Sequence, residues 1–186
     1  IIYTMSFSVY RKIANLILLL VASNLSAQVT YYDAAEFQLL GKATAATTER
    51  YVRLPDSLEH ISRLPLWQLS RNSSGMAVRF RSNSTQVAVK WESLVNFHMD
   101  HMTDVAVKGL DLYCLEGKNW YFVNSARPMG KSTESSLISG MEAKEREFMI
   151  YLPLYDGLVS LSIGIDAGAS INQPAIESPV REKPVV

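Results

Sequence analysis

The densest group of side chains able to do chemistry is His98-Met99-Asp100-His101, followed closely by Asp104. Imidazole nitrogens and carboxylate oxygens both bind divalent ions. Here the spacing argues against a metal site. His98 and His101 stand three apart in a stretch that reads as a loop, and no second ligand cluster exists to complete the shell. The alternative is a loop whose His98, His101 and Met102 help close the domain or face a neighbouring one. Asp111 is the other residue of note, because it interrupts an apolar run. A buried carboxylate is stable only when paired or hydrogen-bonded. Its expected partners are loop amides or a guanidinium, Arg53 or Arg127. No second carboxylate stands where spacing would pair it with Asp111 for acid–base catalysis. Trp67, Trp91 and Trp120, with the nine tyrosines, could form a sugar-stacking platform or simply fill the core. No G-x-S-x-G occurs, and no Ser, His and Asp follow one another in a recognisable catalytic order. The chain therefore offers no catalytic residue, no metal site and no cofactor motif.

The stretch that must position Asp111 is Val105 to Pro128, which reads as one β-hairpin. Leu110, Leu112 and Cys114 fall on one face of its first arm; Asp111, Tyr113 and Leu115 fall on the other. That period of two marks a strand. Glu116-Gly117-Lys118-Asn119 supplies the turn, and Trp120 to Val123 returns as an aromatic and β-branched arm. Gly109 stands at the entry, where a missing side chain permits close backbone approach. Cys114 is the single cysteine, so no internal disulfide framework exists. Its place among apolar strand residues reads as a small buried hydrophobe.

Other segments alternate in the same way. Met76, Val78 and Phe80 precede the turn cluster Ser82-Asn83-Ser84-Thr85, and Val87, Val89 and Trp91 follow it. This reads as a second hairpin. Phe148, Ile150 and Leu152, the turn Tyr155-Asp156-Gly157, and Val159 to Ile165 form a further pair of strands. Phe37, Leu39 and Leu40 are expected core contacts, and a helical turn is expected around Ser57 to Leu64. Short strands with regular turn signals and no amphipathic helix predict an all-β sandwich over residues 28–166.

Gly109-Leu110-Asp111-Leu112-Tyr113 resembles the GxDLY signature of the domain that precedes the catalytic domain in SGNH/GDSL-type ester hydrolases. Tyr51-Val52-Arg53-Leu54-Pro55, Ser74 to Phe80 and His101-Met102 agree with it in the expected order. The resemblance covers roughly 31–186. It implies a jelly-roll-like antiparallel sandwich, with a structural role beside a hydrolase domain in cis. It also implies that Arg53, His98, His101 and Met102 are candidates for the domain interface. The resemblance further implies a parent esterase that acts on an acetylated carbohydrate through a Ser-His-Asp mechanism housed downstream. A stand-alone carbohydrate-binding module of jelly-roll type is the rival reading.

The ends of the chain carry their own signals. Arg11-Lys12, the apolar run 13–22 and Ser23 to Ala27 read as a secretory signal peptide over 1–27, with Met5 as the start and Ile1 to Thr4 as upstream read-through. The apolar run is shorter than the roughly 20 residues of a membrane span. The predicted product is exported, periplasmic or extracellular, with no membrane attachment after cleavage. Pro174, Pro179 and Pro184 make 167–186 read as a linker. In the resembling enzymes, the strand begun by Lys183 to Val186 opens the hydrolase domain, which is missing here. The chain has 186 residues, with 18 Lys plus Arg against 18 Asp plus Glu. That neutral balance gives no sign of a nucleic-acid partner. Mass spectrometry of the expressed protein is expected to find an N-terminus at Gln28. A mature chain that begins at Met5 would refute export by this route.

Overall fold

A computed structural model describes residues 28–175. The predicted signal peptide and the last part of the predicted linker lie outside the described residues. In chain order the elements are β1 (Val29–Asp33), β2 (Gln38–Leu40), α1 (Leu64–Ser70), β3 (Ala77–Ser82), β4 (Val87–Ser93), α2 (Asp104–Lys108), β5 (Leu110–Glu116), β6 (Asn119–Ala126), β7 (Ser132–Ile138), β8 (Arg146–Tyr151), β9 (Leu158–Asp166) and β10 (Ile171–Asn172). Two antiparallel sheets face each other. One has the order β1-β9-β4-β7; the other runs β10-β3-β8-β5-β6, with β2 also paired to β3. This is the predicted all-β sandwich.

The core lies between the sheets and is built from the alternating residues. Val87, Val89, Trp91, Leu161 and Ile163 come from the first sheet; Val78, Phe80, Phe148, Ile150, Leu110 and Leu112 come from the second. Each is essentially solvent-free. Burying one such side chain contributes about 1.5–3 kcal/mol. Phe80 stacks on Phe148 at 5.4 Å and touches Phe37 at 6.2 Å, so the expected core role of Phe37 holds. Leu39 and Leu40 are only half-buried, because the short β2 sits at an edge. Cys114 is buried as expected, and burial pushes its thiol pKa up.

Several expectations are corrected. The stretch from Met76 to Glu92 is not a hairpin. β3 pairs β8 while β4 pairs β7 and β9, so the chain crosses from one sheet to the other at Asn83 to Gln86. Alternation reports which face is buried and is silent about the partner. The helical turn is a 3-10 turn over Asp56–Leu58, and a separate helix follows at Leu64–Ser70, opened by Pro65 in its first turn. The hairpin at 105–128 is real over β5 and β6, but its first residues belong to α2. β7, a Ser-rich edge strand, escaped the reading because its polar composition carries no strand signal. The tryptophans form no platform. Trp91 is in the core, Trp67 lies against the Arg71 guanidinium at 5.1 Å, and Trp120 lies against Arg79 at 5.6 Å. Finally, Ile171 and Asn172 pair with Ser82 and Arg81, so the sandwich extends beyond the predicted boundary at residue 166.

Each end of the sandwich is closed by one carboxylate. At one end, Asp166 accepts from the Thr85 amide and hydroxyl, both at 2.7 Å, from Gln86 Nε2 at 2.6 Å and from Ser84 Oγ at 3.0 Å. These bonds hold the crossover between β3 and β4 against the end of β9. At the opposite end, Asp156 is fully buried. It accepts from the amides of Val95 at 3.0 Å, Phe97 at 2.8 Å and Gly157 at 2.8 Å.

Partial burial acts to raise the Asp166 pKa, but the hydrogen bonds from Thr85, Gln86 and Ser84 outweigh it and hold the carboxyl below its ordinary value. A carboxylate with a depressed folded pKa stabilises the fold above its unfolded pKa, about 3.9. That contribution is lost as pH falls through the lower folded value. Urea midpoints measured from pH 5 to pH 2.5 are therefore expected to fall for the wild type. Asp166→Asn should start lower at pH 5 and fall less. Parallel curves for the two proteins would rule out this linkage.

Candidate functional site

The signature strand explains itself residue by residue. α2 ends at Lys108, and the Gly109 amide donates to Val105 O at 3.0 Å, folding the helix directly onto β5. A Cβ at Gly109 would stand 2.4 Å from Val105 O and 2.9 Å from Ala126 O. Only glycine fits that approach. Leu110 and Leu112 point into the core and are fully buried. Asp111 and Tyr113 point out of the sheet. Ser125 Oγ, on the neighbouring β6, donates to Asp111 Oδ1 at 2.5 Å. Tyr113 is packed edge-on between Phe122 at 5.7 Å and Tyr151 at 5.3 Å. Asp111, Tyr113, Ser125 and Tyr151, together with Gly75, residues of α2 and Leu154, line a cavity of about 560 Å³ at the Asp156 end of the outer face.

The expected environment of Asp111 is corrected here. It is half-exposed and partnered by a serine, not by loop amides, and neither Arg53 nor Arg127 bonds it. Outward residues of a sheet face pair across strands, and the partner Ser125 could have been found from the hairpin register. Arg127 is exposed; Arg53 is half-buried, with its Nε buried and unbonded.

Beside the cavity, His98 and Asp104 join a polar cluster whose hub, Lys108, sequence reasoning missed because it looked like an ordinary surface lysine. Lys108 has no exposed surface. Its Nζ donates to Asn96 Oδ1 at 2.6 Å and lies 3.3 Å from Asp104 Oδ2 and 3.4 Å from His98 Nε2. His98 Nδ1 pairs with Asp104 Oδ1 at 2.7 Å. His98 thus spans the pair, with Nδ1 turned to the carboxylate and Nε2 facing the ammonium. Asn96 has φ of +67°, a left-handed conformation that Asn tolerates better than most residues. The lysine thus holds a strained residue in place. His101 turns away to Asp100 at 3.2 Å and is exposed, while Met102 closes a small bridge with Met99. The two histidines therefore serve different carboxylates. Among the described residues, no three of His, Cys, Asp and Glu come together as a metal site. Nor does any serine hydroxyl among them bond a histidine.

The family model GxDLY, the N-terminus of SGNH-hydrolase-type esterases, matches residues 29–171. The chain belongs to this family. Its fold is similar to the crystal structure of a protein described as a GDSL-like lipase from Bacteroides ovatus, at 37% identity and a TM-score of 0.77, over 83% of this chain and 45% of that one. A second likeness, at 15% identity and a TM-score of 0.52, is to the salicylyl-acyltransferase SsfX3 from a tetracycline biosynthetic pathway. It covers 84% of this chain and 42% of that one, and shows a shared fold alone. The chain thus spans less than half the length of these solved structures. No curated protein matches the chain.

Within this GxDLY domain the motif is a packing device first, since its glycine admits α2 and its two leucines fill the core. Gly109→Ala is expected to destabilise by about 1–3 kcal/mol, because the added methyl meets backbone that cannot yield. Asp111→Ala removes one half-exposed hydrogen bond and should lose only about 0.5–1.5 kcal/mol. Urea unfolding of both variants checks the order. A larger loss for Asp111→Ala would place a buried network at that residue.

Proposed function

We propose that this chain is the accessory domain of an exported carbohydrate esterase, packing on an SGNH hydrolase domain in cis and helping to shape its cleft. The observation that carries the reading is the match of residues 29–171 to the N-terminal domain of SGNH-type esterases. The described residues supply surfaces and no assembled nucleophile, which suits a supporting domain. In this reading the ester bond is cleaved by a serine, histidine and aspartate housed in the partner domain. Acetylated carbohydrate is the proposed substrate. The short apolar N-terminal run supports export, and among the described residues no helix is long and apolar enough to cross a membrane.

A second reading, a carbohydrate-binding module, draws support from one feature. Tyr113, Tyr151 and Phe122 cluster beside Asp111 on the outer face of the larger sheet, and the latter two rings are exposed. Sugar rings stack on such faces, and a nearby carboxylate can accept from hydroxyl groups. The module would bind polysaccharide without a partner.

The 186-residue chain is expected to leave p-nitrophenyl acetate untouched, whereas a polypeptide that continues beyond Val186 should hydrolyse it and lose that activity to a serine-directed inhibitor. Inhibitor-sensitive turnover by the 186-residue chain alone would overturn the accessory role. Retardation of the chain in gels containing xylan, abolished by Tyr151→Ala, would favour the binding module.

A further inference from the structure

Large apolar side chains stand exposed on a protein surface at a price in solubility, and here they are concentrated at the Asp156 end of the sandwich. α1 has the sequence Leu-Pro-Leu-Trp-Gln-Leu-Ser, and only its Ser70 is buried. Leu69 is 56% exposed, Val95 65%, Phe97 43% and Leu154 51%. Met129, in the loop between β6 and β7, is also exposed. A helix this apolar, without a polar face, is normally covered. Contiguous apolar surface of this kind marks an interaction site.

The patch is also built, not merely left over. The Val95 and Phe97 amides are both captured by the buried carboxylate of Asp156. Asn96, between them, is left-handed and is held by the buried ammonium of Lys108. Two buried ionic groups thus fix the backbone on both sides of one residue, while Val95 and Phe97 face outward. The same carboxylate anchors the β8–β9 crossover, which carries Leu154, and the Asp156 carbonyl accepts from the Ser73 amide just beyond α1. All three segments are locked into one preformed surface. Preorganisation of this kind lowers the ordering cost of association.

The course of the chain favours one occupant. β10 runs antiparallel to β3, so at Asn172 the chain points from Ser82 toward the Asp156 end, and beyond Arg81 it passes over β2, which takes the edge of β3 from Arg79 to Ala77. Gln173 is already tied along this course, accepting at its carbonyl from Arg81 Nε at 2.9 Å, and Gln173, Pro174 and Ala175 line a cavity with Arg79. The likeness covers 45% and 42% of the two solved chains, so more than half of each lies outside the part that this chain resembles.

We propose that the Asp156 end, formed by α1, the 94–98 loop and the β8–β9 crossover, is the surface on which the hydrolase domain of the same polypeptide docks. The inference rests on the accessory-domain reading and adds the surface to it. Hydroxyl-radical footprinting tests it, comparing the 186-residue chain with the native polypeptide captured from producing cells. Leu69, Val95, Phe97 and Leu154 are expected to be labelled strongly in the 186-residue chain and several-fold less in the native polypeptide. Tyr121 and Phe122 should be labelled equally in both. A native polypeptide that is heavier than this chain, but labelled equally at the Asp156 end, would overturn the surface and leave the accessory reading standing. A native polypeptide no heavier than this chain would overturn both. Protection in the 186-residue chain that disappears on dilution would assign the surface to a second copy and so refute the proposal.

Discussion

Asp156 collects three backbone amides within hydrogen-bond distance while having no surface of its own in contact with water. A buried carboxylate without partners would be strongly unfavourable, so the surrounding loops have one arrangement that satisfies it. That constraint reaches far along the chain. It sets the path of the 94–97 loop, the crossover from β8 to β9 and, through the Ser73 amide on its carbonyl, the junction between α1 and β3. It also determines where α2 can lie, because the Tyr155 amide donates to Val107 O. The signature strand begins where α2 ends.

The two ends of the sandwich use the same device for different ends. Asp166 ties one crossover with the side chains of Ser84, Thr85 and Gln86 and with the Thr85 amide. Asp156 does its work with backbone amides alone, which frees the neighbouring side chains to be apolar and to face outward. The chemistry of each tether therefore shapes the surface around it.

Much of the fold could be read from alternation, and its gaps have physical causes. The faces of β5 were legible because Leu110, Leu112 and Cys114 differ so plainly from their neighbours. The pairing of β3 with β8 was not, since Phe80 and Phe148 lie far apart in the chain and face patterns carry no partner label. α1 was hidden because Leu64 to Leu69 is apolar nearly all round, so it shows no amphipathic stripe. β7 was hidden because a solvated edge strand can be built from serine and threonine. Within the site, Asp111 was placed too deep: its strand is interior to the sheet while its side chain is on the outer face. Lys108 was overlooked because burial of its ammonium depends on Asn96 and His98 reaching it and Asp104 from a loop whose shape no local pattern encodes.

The pairing scheme has a kinetic side. Among the described residues, β5 and β6 form the one long pairing whose strands are neighbours in the chain; β1 waits for β9, β3 for β8, and β4 for β7 and β9. Closing such long loops must precede the contacts that compensate for them, which makes folding slow in topologies of this kind. A nascent chain can therefore form the β5–β6 hairpin early, but it cannot complete either sheet before β8 and β9 emerge. Until then β3 and β4 have exposed edges and unburied apolar faces, so this chain has a long interval in which it is open to capture by chaperones or by its own copies.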